Sequence, residues 1–280
     1  MKPKLDNIRK IYLLGIGGIG MSALARYFRA KAVSVFGYDK TPTSLTNELE
    51  QEGMNIHYTD EISLIPQDAD LIIYTPAIPK TLSEFIYLQN SGIPMLKRAT
   101  VTGMVTEGKT TIAVAGTHGK TSISSMIAHL LLTAGFPVTA LIGGISKNHS
   151  TNFITSGKEE IMVVEADEYD RSFLSLSPDI AVISAIDPDH LDIYGTAEEV
   201  IHSFNDFARN IKPGGKLIIR TGLNLDLKPG TRRIEYAYND KTEVTAFNLR
   251  NEVGYQRFDL VCSGKIIKDV RLQIPGIHNI

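Results

Sequence analysis

The sequence predicts an α/β protein: a parallel sheet with helices on both faces, then a second α/β domain that gains extra β-strands near its C-terminal end. Three observations carry this expectation. Short apolar runs alternate with helical patterns along most of the chain, as strand–helix–strand units require. A glycine-rich turn, "LLGIGGIG", joins the first apolar run to the first helical pattern. A hundred residues later "TIAVAGTHGKTS" repeats the strand–loop–helix logic with different loop chemistry. At 280 residues, 43% of them hydrophobic, the chain is long enough for two packed cores.

The elements follow in order. Ile11 to Leu14 reads as a buried strand, the glycine turn follows, and a helix runs to about Ala30. Val33 to Tyr38 is a second strand ending at Asp39, and Leu71 to Tyr74 is another, followed by the loop "TPAIPK". A weak helix over Ala99 to Thr106 closes the first series. The boundary is placed there, giving domains 1–107 and 108–280. In the second series Thr111 to Ala115 is a strand, and the helix from Ser122 places Ile123, Met126, Ile127, Leu130 and Leu131 on one face. Gly135 and Pro137 stop it. Ile161 to Val164 and Ala181 to Ile186 read as buried parallel strands, each ending in acidic residues. Thr196 and Glu199 look like a capping box opening a helix that buries Val200, Phe204, Phe207 and Ile211. Beyond Gly214-Gly215, "RRIEYAY", "RFDLVC" and "KIIKDVRLQI" suggest strands joined by turns, with Ser263-Gly264 a hairpin turn. The final "PGIHNI" looks like a helix beginning.

Composition narrows the function classes. Twenty-nine basic and 31 acidic residues leave a formal net charge of −2 with no basic block, so nothing points to nucleic acid. Cys262 is the only cysteine, which rules out an internal disulfide and fits a reducing compartment; inside a strand-like run it reads as a small core residue. No apolar run approaches the roughly 18 residues of a membrane span. The polar N-terminus lacks the apolar core of a signal peptide. The expectation is a soluble cytoplasmic protein with no membrane partner.

Two loops carry phosphate chemistry. Gly15, Gly17 and Gly20, with Gly18 between them, form G-x-G-x-x-G between a strand and a helix. Such glycines let the backbone approach a phosphate at a helix N-terminus, and Asp39 ends the next strand where dinucleotide folds hold a ribose hydroxyl. The plainer alternatives are a tight turn that binds nothing and, for Asp39, a cap. The stretch 106–122 contains two Gly-Lys-Thr triplets. A phosphate cradle needs a strand before it and a helix after it, so that loop N–H groups converge on one anion. Gly119-Lys120-Thr121 has that context. Gly108-Lys109-Thr110 has the reverse, and Lys109 reads as a solvated linker lysine. The general P-loop pattern would need glycine at 114, which is Val114, so this loop is the shorter Gly116-Thr117-His118-Gly119-Lys120-Thr121, running into Ser122. In it Lys120 reaches terminal phosphates, the Thr121 hydroxyl can ligate Mg²⁺, and His118 has no required role.

"VVEADEYDRSF" puts Glu165 at a strand end, and "ISAIDPDHLDIYG" puts Asp187, Asp189 and His190 at another. Those ends face the crevice where open α/β sheets bind ligands. A carboxylate and an imidazole there could complete a metal shell, although Mg²⁺ prefers oxygen and His190 reads equally well as a capping or buried imidazole. Glu168, Asp170 and Asp192 read as capping or solvated residues.

Taken together, "YLLGIGGIGMSALARYF", "AVAGTHGKTS", "VVEADEYDRSF", "DPDHLDIYG" and "PGIHN" resemble the Mur ligase family over essentially the whole chain. The resemblance implies a Rossmann-like domain holding a UDP-sugar, then a P-loop-type ATPase domain, with the family's third, C-terminal domain missing from this chain. It implies that Gly15, Gly17, Gly18, Gly20 and Asp39 serve the UDP-sugar. Gly116, Thr117, His118, Gly119, Lys120, Thr121 and Ser122 would hold ATP, with His278 and Asn279 on adenine, and Thr121, Glu165 and His190 would hold Mg²⁺. Lys120, Glu165 and His190 would be the catalytic set. "GIGGIGMSALA" and "LDIYG" favour the branch that joins L-alanine to UDP-N-acetylmuramate through an acyl phosphate, with binding but no turnover expected of this chain alone. A sister activity adds a whole tripeptide, and "EADEYD" is compatible with it. A reading from another class, an NAD-dependent oxidoreductase using the first glycine loop, leaves the second phosphate loop without a purpose.

Overall fold

The computed structural model describes residues 3–189 and 191–280. The chain divides into two compact units. One gathers Met1–Lys109 with Ile127–Val164, and the other gathers Thr110–Met126 with Glu165–Ile280.

The first unit is built on β1 (Lys10–Leu14), α1 (Ile19–Ala30), β2 (Ser34–Tyr38), α2 (Ser44–Gln51), β3 (Asn55–His57), β4 (Leu71–Tyr74), α3 (Ser83–Asn90), β5 (Met95–Lys97) and α4 (Arg98–Thr106). The strands pair in parallel in the order β3-β2-β1-β4-β5. Ile11 to Leu14 and Leu71 to Ile73 are shut off from solvent, as expected of central parallel strands covered on both faces. α1 packs Met21, Leu24, Ala25 and Phe28 inward, spaced by three and four. Two helix starts were not legible in the sequence. α2 is opened by a capping box in which Thr43 and Thr46 bond each other's backbone. α3 is capped from afar, with the Ser83 and Glu84 N–H groups donating to the Asp60 carboxylate at 2.9 and 3.0 Å.

Besides this sheet the unit contains three strands of a second one: β7 (Val138–Ser146), paired antiparallel with β8 (Thr151–Thr155) and parallel with β9 (Ile161–Glu165). β8 is bonded to α1 through wholly buried Asn152. Its amide donates to Ile19 O and Ser22 Oγ, both at 2.8 Å, and accepts from Arg26 Nη1 at 2.6 Å. Arg26, itself buried, also holds Glu48 and Glu52, so its charge is paired on every side where it meets a partner. Lys109 departs from expectation. It is not a solvated linker residue but a partly buried one, donating to Val105 O at 2.7 Å and pairing with Glu159 at 2.9 Å. Burial would raise the Glu159 carboxyl, yet Lys109 and Lys31 hold it below the usual carboxylate range.

The second unit comprises β6 (Thr110–Ala115), the start of α5 (Lys120–Thr133), β10 (Ile180–Ile183), α6 (Leu191–Tyr194), α7 (Ala197–Arg209), β11 (Lys216–Arg220), β12 (Arg232–Tyr238), β13 (Val244–Glu252), β14 (Tyr255–Cys262) and β15 (Lys265–Leu272). β6, β10, β11, β12 and β13 are parallel neighbours, and β13-β14-β15 continue as an antiparallel meander. The core holds Phe173 stacked on Phe207 and edge-on to Phe204, with ring centroids 4.9 and 5.2 Å apart. Three expectations are corrected here. β10 ends at Ile183, because Ser184 to Ile186 leave the ladder to meet the loop after β6. The box at Thr196 is half-formed: Glu199 N–H donates to Thr196 Oγ1, while the Glu199 carboxylate pairs with Arg171 instead. "PGIHNI" forms a short 3₁₀ turn over Ile277–Asn279. Among the described residues no helix is long and apolar enough to cross a membrane.

A buried acid in the first unit makes the fold pH-sensitive. Glu84 is wholly buried, accepts from Tyr12 O–H and from Glu61 N–H, and lies near His57. Burial pushes its carboxyl above the usual range, partly offset by those donors and by His57. The native state therefore binds this proton more tightly than the unfolded chain. The stabilisation it provides is complete below the unfolded value of about 4.3 and is lost as pH rises through the native value. Glu84→Gln abolishes that titration. Chemical unfolding at pH 5 and pH 8 should show a smaller loss of stability with rising pH in the variant than in wild type, and equal slopes would contradict this assignment.

Candidate functional site

The loop between β6 and α5 is shaped by two left-handed glycines, Gly116 at φ 131° and Gly119 at φ 82°. A side chain at Gly116 would overlap Ser184 Oγ and come within 3.0 Å of the Ala185 N–H. The loop is stitched to the end of β10: Thr117 N–H donates to Ala185 O at 3.1 Å, Asp187 N–H donates to Thr117 Oγ1 at 3.2 Å, and Ser184 O–H donates to His118 O. Buried Thr117 also donates through its hydroxyl to the Asp187 carboxylate at 3.3 Å. These contacts leave the first turn of α5 with the free N–H groups that every helix start presents, a ready anion site. His118 is exposed and pairs only peripherally, 3.5 Å from Asp187.

Two side chains of α5 meet the acidic segment after β9. Thr121 Oγ1 donates to Glu165 Oε1 at 3.1 Å. Lys120 Nζ donates to Gly116 O at 2.9 Å and lies 2.7 Å from both oxygens of Glu168. Glu168 is therefore not solvated, and although it stands at the N-cap of the 3₁₀ turn Tyr169–Ser175, its side chain makes no capping bond there. Its side chain is 2% exposed, against 16% for Lys120. Its carbonyl accepts from Tyr194 O–H at 2.6 Å and Arg171 N–H at 2.9 Å. Two and three residues after it, Asp170 and Arg171 are both left-handed, at φ 52° and 54°, although neither is glycine. Such residues cost of order 1–3 kcal/mol each and concentrate at functional sites. The Arg171 guanidinium lies 5.4 Å from the Tyr194 ring centroid and pairs with Glu199.

The donor set suits a hard cation. A threonine hydroxyl and a carboxylate side by side are the oxygen ligands Mg²⁺ takes, with waters and phosphates filling the remaining positions. Among the described residues no three His, Cys, Asp or Glu gather as a ready-made cage, so the fit rests on Thr121 and Glu165. His190 lies outside the described residues. His278 is exposed on the terminal 3₁₀ turn. Asn279 bonds within that turn, through its side chain to Pro275 O and through its N–H to Gly276 O.

The first glycine loop is formed as expected. Gly15 is left-handed, its N–H donates to Tyr38 O at 2.8 Å, and Gly18 N–H donates to Gly15 O. Asp39 accepts from the Gly17 N–H at 2.8 Å, so its carboxylate braces the loop. Arg98, to which the sequence assigned nothing, lies against the start of α1: a side chain on Gly20 would come 2.7 Å from its Nη1. No spacing rule could have revealed that cation, because Arg98 enters from α4, far along the chain.

Comparison with known proteins matches both halves of the chain to family models, the Mur ligase family catalytic domain over residues 10–110 and the Mur ligase middle domain over residues 114–280. A curated UDP-N-acetylmuramate–L-alanine ligase from Christiangramia forsetii is 45% identical over 282 residues, 99% of this chain and 61% of the relative. The chain thus spans about three-fifths of that relative's length. Among solved structures, a UDP-N-acetylmuramate-alanine ligase from Thermotoga maritima superposes with a TM-score of 0.83 at 27% identity, covering 96% of this chain and 62% of that one. The UDP-N-acetylmuramate:L-alanyl-γ-D-glutamyl-meso-diaminopimelate ligase from Neisseria meningitides superposes at 0.86 with 24% identity, covering 97% and 90%, and shares the fold.

The β6–α5 loop should fail to tolerate a Cβ at Gly116. In Gly116→Ala both the left-handed backbone and the contact with residues 184–185 are lost, with a destabilisation of about 2–4 kcal/mol in chemical unfolding. Wild-type stability in the variant would contradict the loop geometry.

Proposed function

This chain belongs to the Mur ligase family, and on that premise we propose that it serves the ATP-dependent joining of L-alanine to UDP-N-acetylmuramate in cytoplasmic peptidoglycan precursor synthesis. The observation that carries the reading is the strand–loop–helix in which Lys120 and Thr121 open α5 beside Glu165 and Glu168, in a chain 45% identical to a ligase of that name.

The residue roles follow from chemistry. Domain 1–107 takes the UDP-sugar, with Gly15, Gly17, Gly18 and Gly20 offering backbone to its diphosphate. Asp39 braces that loop, and Arg98 adds positive charge at the helix start. Domain 108–280 takes ATP. N–H groups of the loop Gly116 to Ser122, apart from that of Thr117, which Ala185 O holds, face the phosphates, Lys120 pairs with the terminal ones, and His278 and Asn279 meet the adenine. Thr121 and Glu165, with His190, would hold Mg²⁺, which would neutralise charge between carboxylate and triphosphate. The sugar's carboxylate oxygen attacks the γ-phosphorus, the bond to the β-bridging oxygen breaks, and ADP leaves with the electron pair. The amine of L-alanine then attacks the acyl carbon, loses a proton, and expels phosphate as the amide forms. Two anions must meet in the first step, so the Lys120 ammonium is required to offset their repulsion.

The tripeptide-adding activity is the second reading, and the fold likeness to the Neisseria enzyme favours it. The identity to alanine ligases over 99% of the chain weighs more. A nicotinamide oxidoreductase finds no use for the β6–α5 loop.

Calorimetry should show Mg·ATP and UDP-N-acetylmuramate each binding this chain, with NAD⁺ not competing against the sugar nucleotide. Tight NAD⁺ binding without UDP-sugar binding would overturn the reading.

A further inference from the structure

We propose that Glu168 is a positioning residue that aims the Lys120 ammonium at the terminal phosphate of the nucleotide. The proposal rests on the reading of the β6–α5 loop as the ATP site.

A lysine ammonium has three N–H donors. Gly116 O takes one at 2.9 Å and the Glu168 carboxylate takes another at 2.7 Å. The first contact bends the lysine back across its own loop, and the second fixes its rotation. One donor is then left for a phosphate oxygen. Glu168 cannot easily withdraw. Its side chain is almost wholly buried, and a buried carboxylate stripped of its cation is strongly disfavoured. Its backbone is anchored by Tyr194 O–H and Arg171 N–H, and the chain leaves it through the two left-handed residues Asp170 and Arg171. The Glu168 carboxylate is the anchored partner, held by its burial and by the bonds to its own backbone. The pair therefore stays together when the nucleotide arrives, and the ammonium is presented in one orientation instead of many.

The test compares Mg·AMP-PNP with Mg·ADP by titration of this chain. Wild type should prefer AMP-PNP, because Lys120 reaches the phosphate that ADP lacks. In Glu168→Gln that preference should shrink about tenfold, the size of one lost charge-assisted hydrogen bond, while ADP affinity stays within about twofold. Glu168→Asp keeps the charge but draws the carboxylate back, and should show the same loss. It also serves if the Gln variant folds poorly. An unchanged AMP-PNP/ADP ratio in either folded variant overturns the proposal. So does a parallel fall in both affinities, which a merely structural role would give, or a wild type without the preference. A wild type that binds neither nucleotide overturns the parent reading as well, a result distinct from the others.

Discussion

Much at the candidate site follows from one constraint: the loop between β6 and α5 must be held rigid while the start of α5 keeps its N–H groups open. A loop that spent those donors internally would be stable but unable to bind. The rigidity therefore comes from elsewhere. The residues after β10 leave their sheet early to supply it, through Ala185 O, the Asp187 carboxylate and Ser184 Oγ. Gly116 is glycine because that support lies where a side chain would be. On the other flank Glu165 and Glu168 receive Thr121 and Lys120. The loop is braced from two strands, and its helix start stays open.

The first unit solves a related problem with the same economy. The Gly15–Gly20 loop is held by the Asp39 carboxylate on Gly17 N–H, and behind it α1 is locked to β8 by Asn152 and Arg26. A buried amide that makes three bonds and a buried guanidinium that meets two carboxylates specify one register between helix and hairpin. The Gly15–Gly20 loop thus sits on a helix whose placement is fixed by polar contacts as well as by Leu24 and Phe28.

Much of this was legible in the chain. Apolar runs marked β1, β4, β6 and β9, and the glycine patterns placed both loops on the correct strand–helix junctions. What sequence could not supply were interactions between distant residues: Asp60 capping α3, Asp187 bracing Thr117, Arg98 beside Gly20. The burial of Glu168 is hidden from the sequence for the same reason. Three residues beyond Glu165 in a polar segment the residue has the pattern of a cap, and only the fold shows it buried against Lys120. The pairing of Lys109 is hidden likewise, since nothing in the sequence places that lysine opposite Glu159, fifty residues on.

The central claim, that the second Gly-Lys-Thr and not the first holds the terminal phosphates, is tested most directly by the Mg·ATP affinity of Lys120→Met against Lys109→Met, with UDP-N-acetylmuramate affinity as the internal control. Lys120→Met should weaken ATP binding about tenfold or more, Lys109→Met should leave it near wild type, and sugar-nucleotide binding should survive in Lys120→Met. Wild-type ATP affinity in Lys120→Met would contradict the claim.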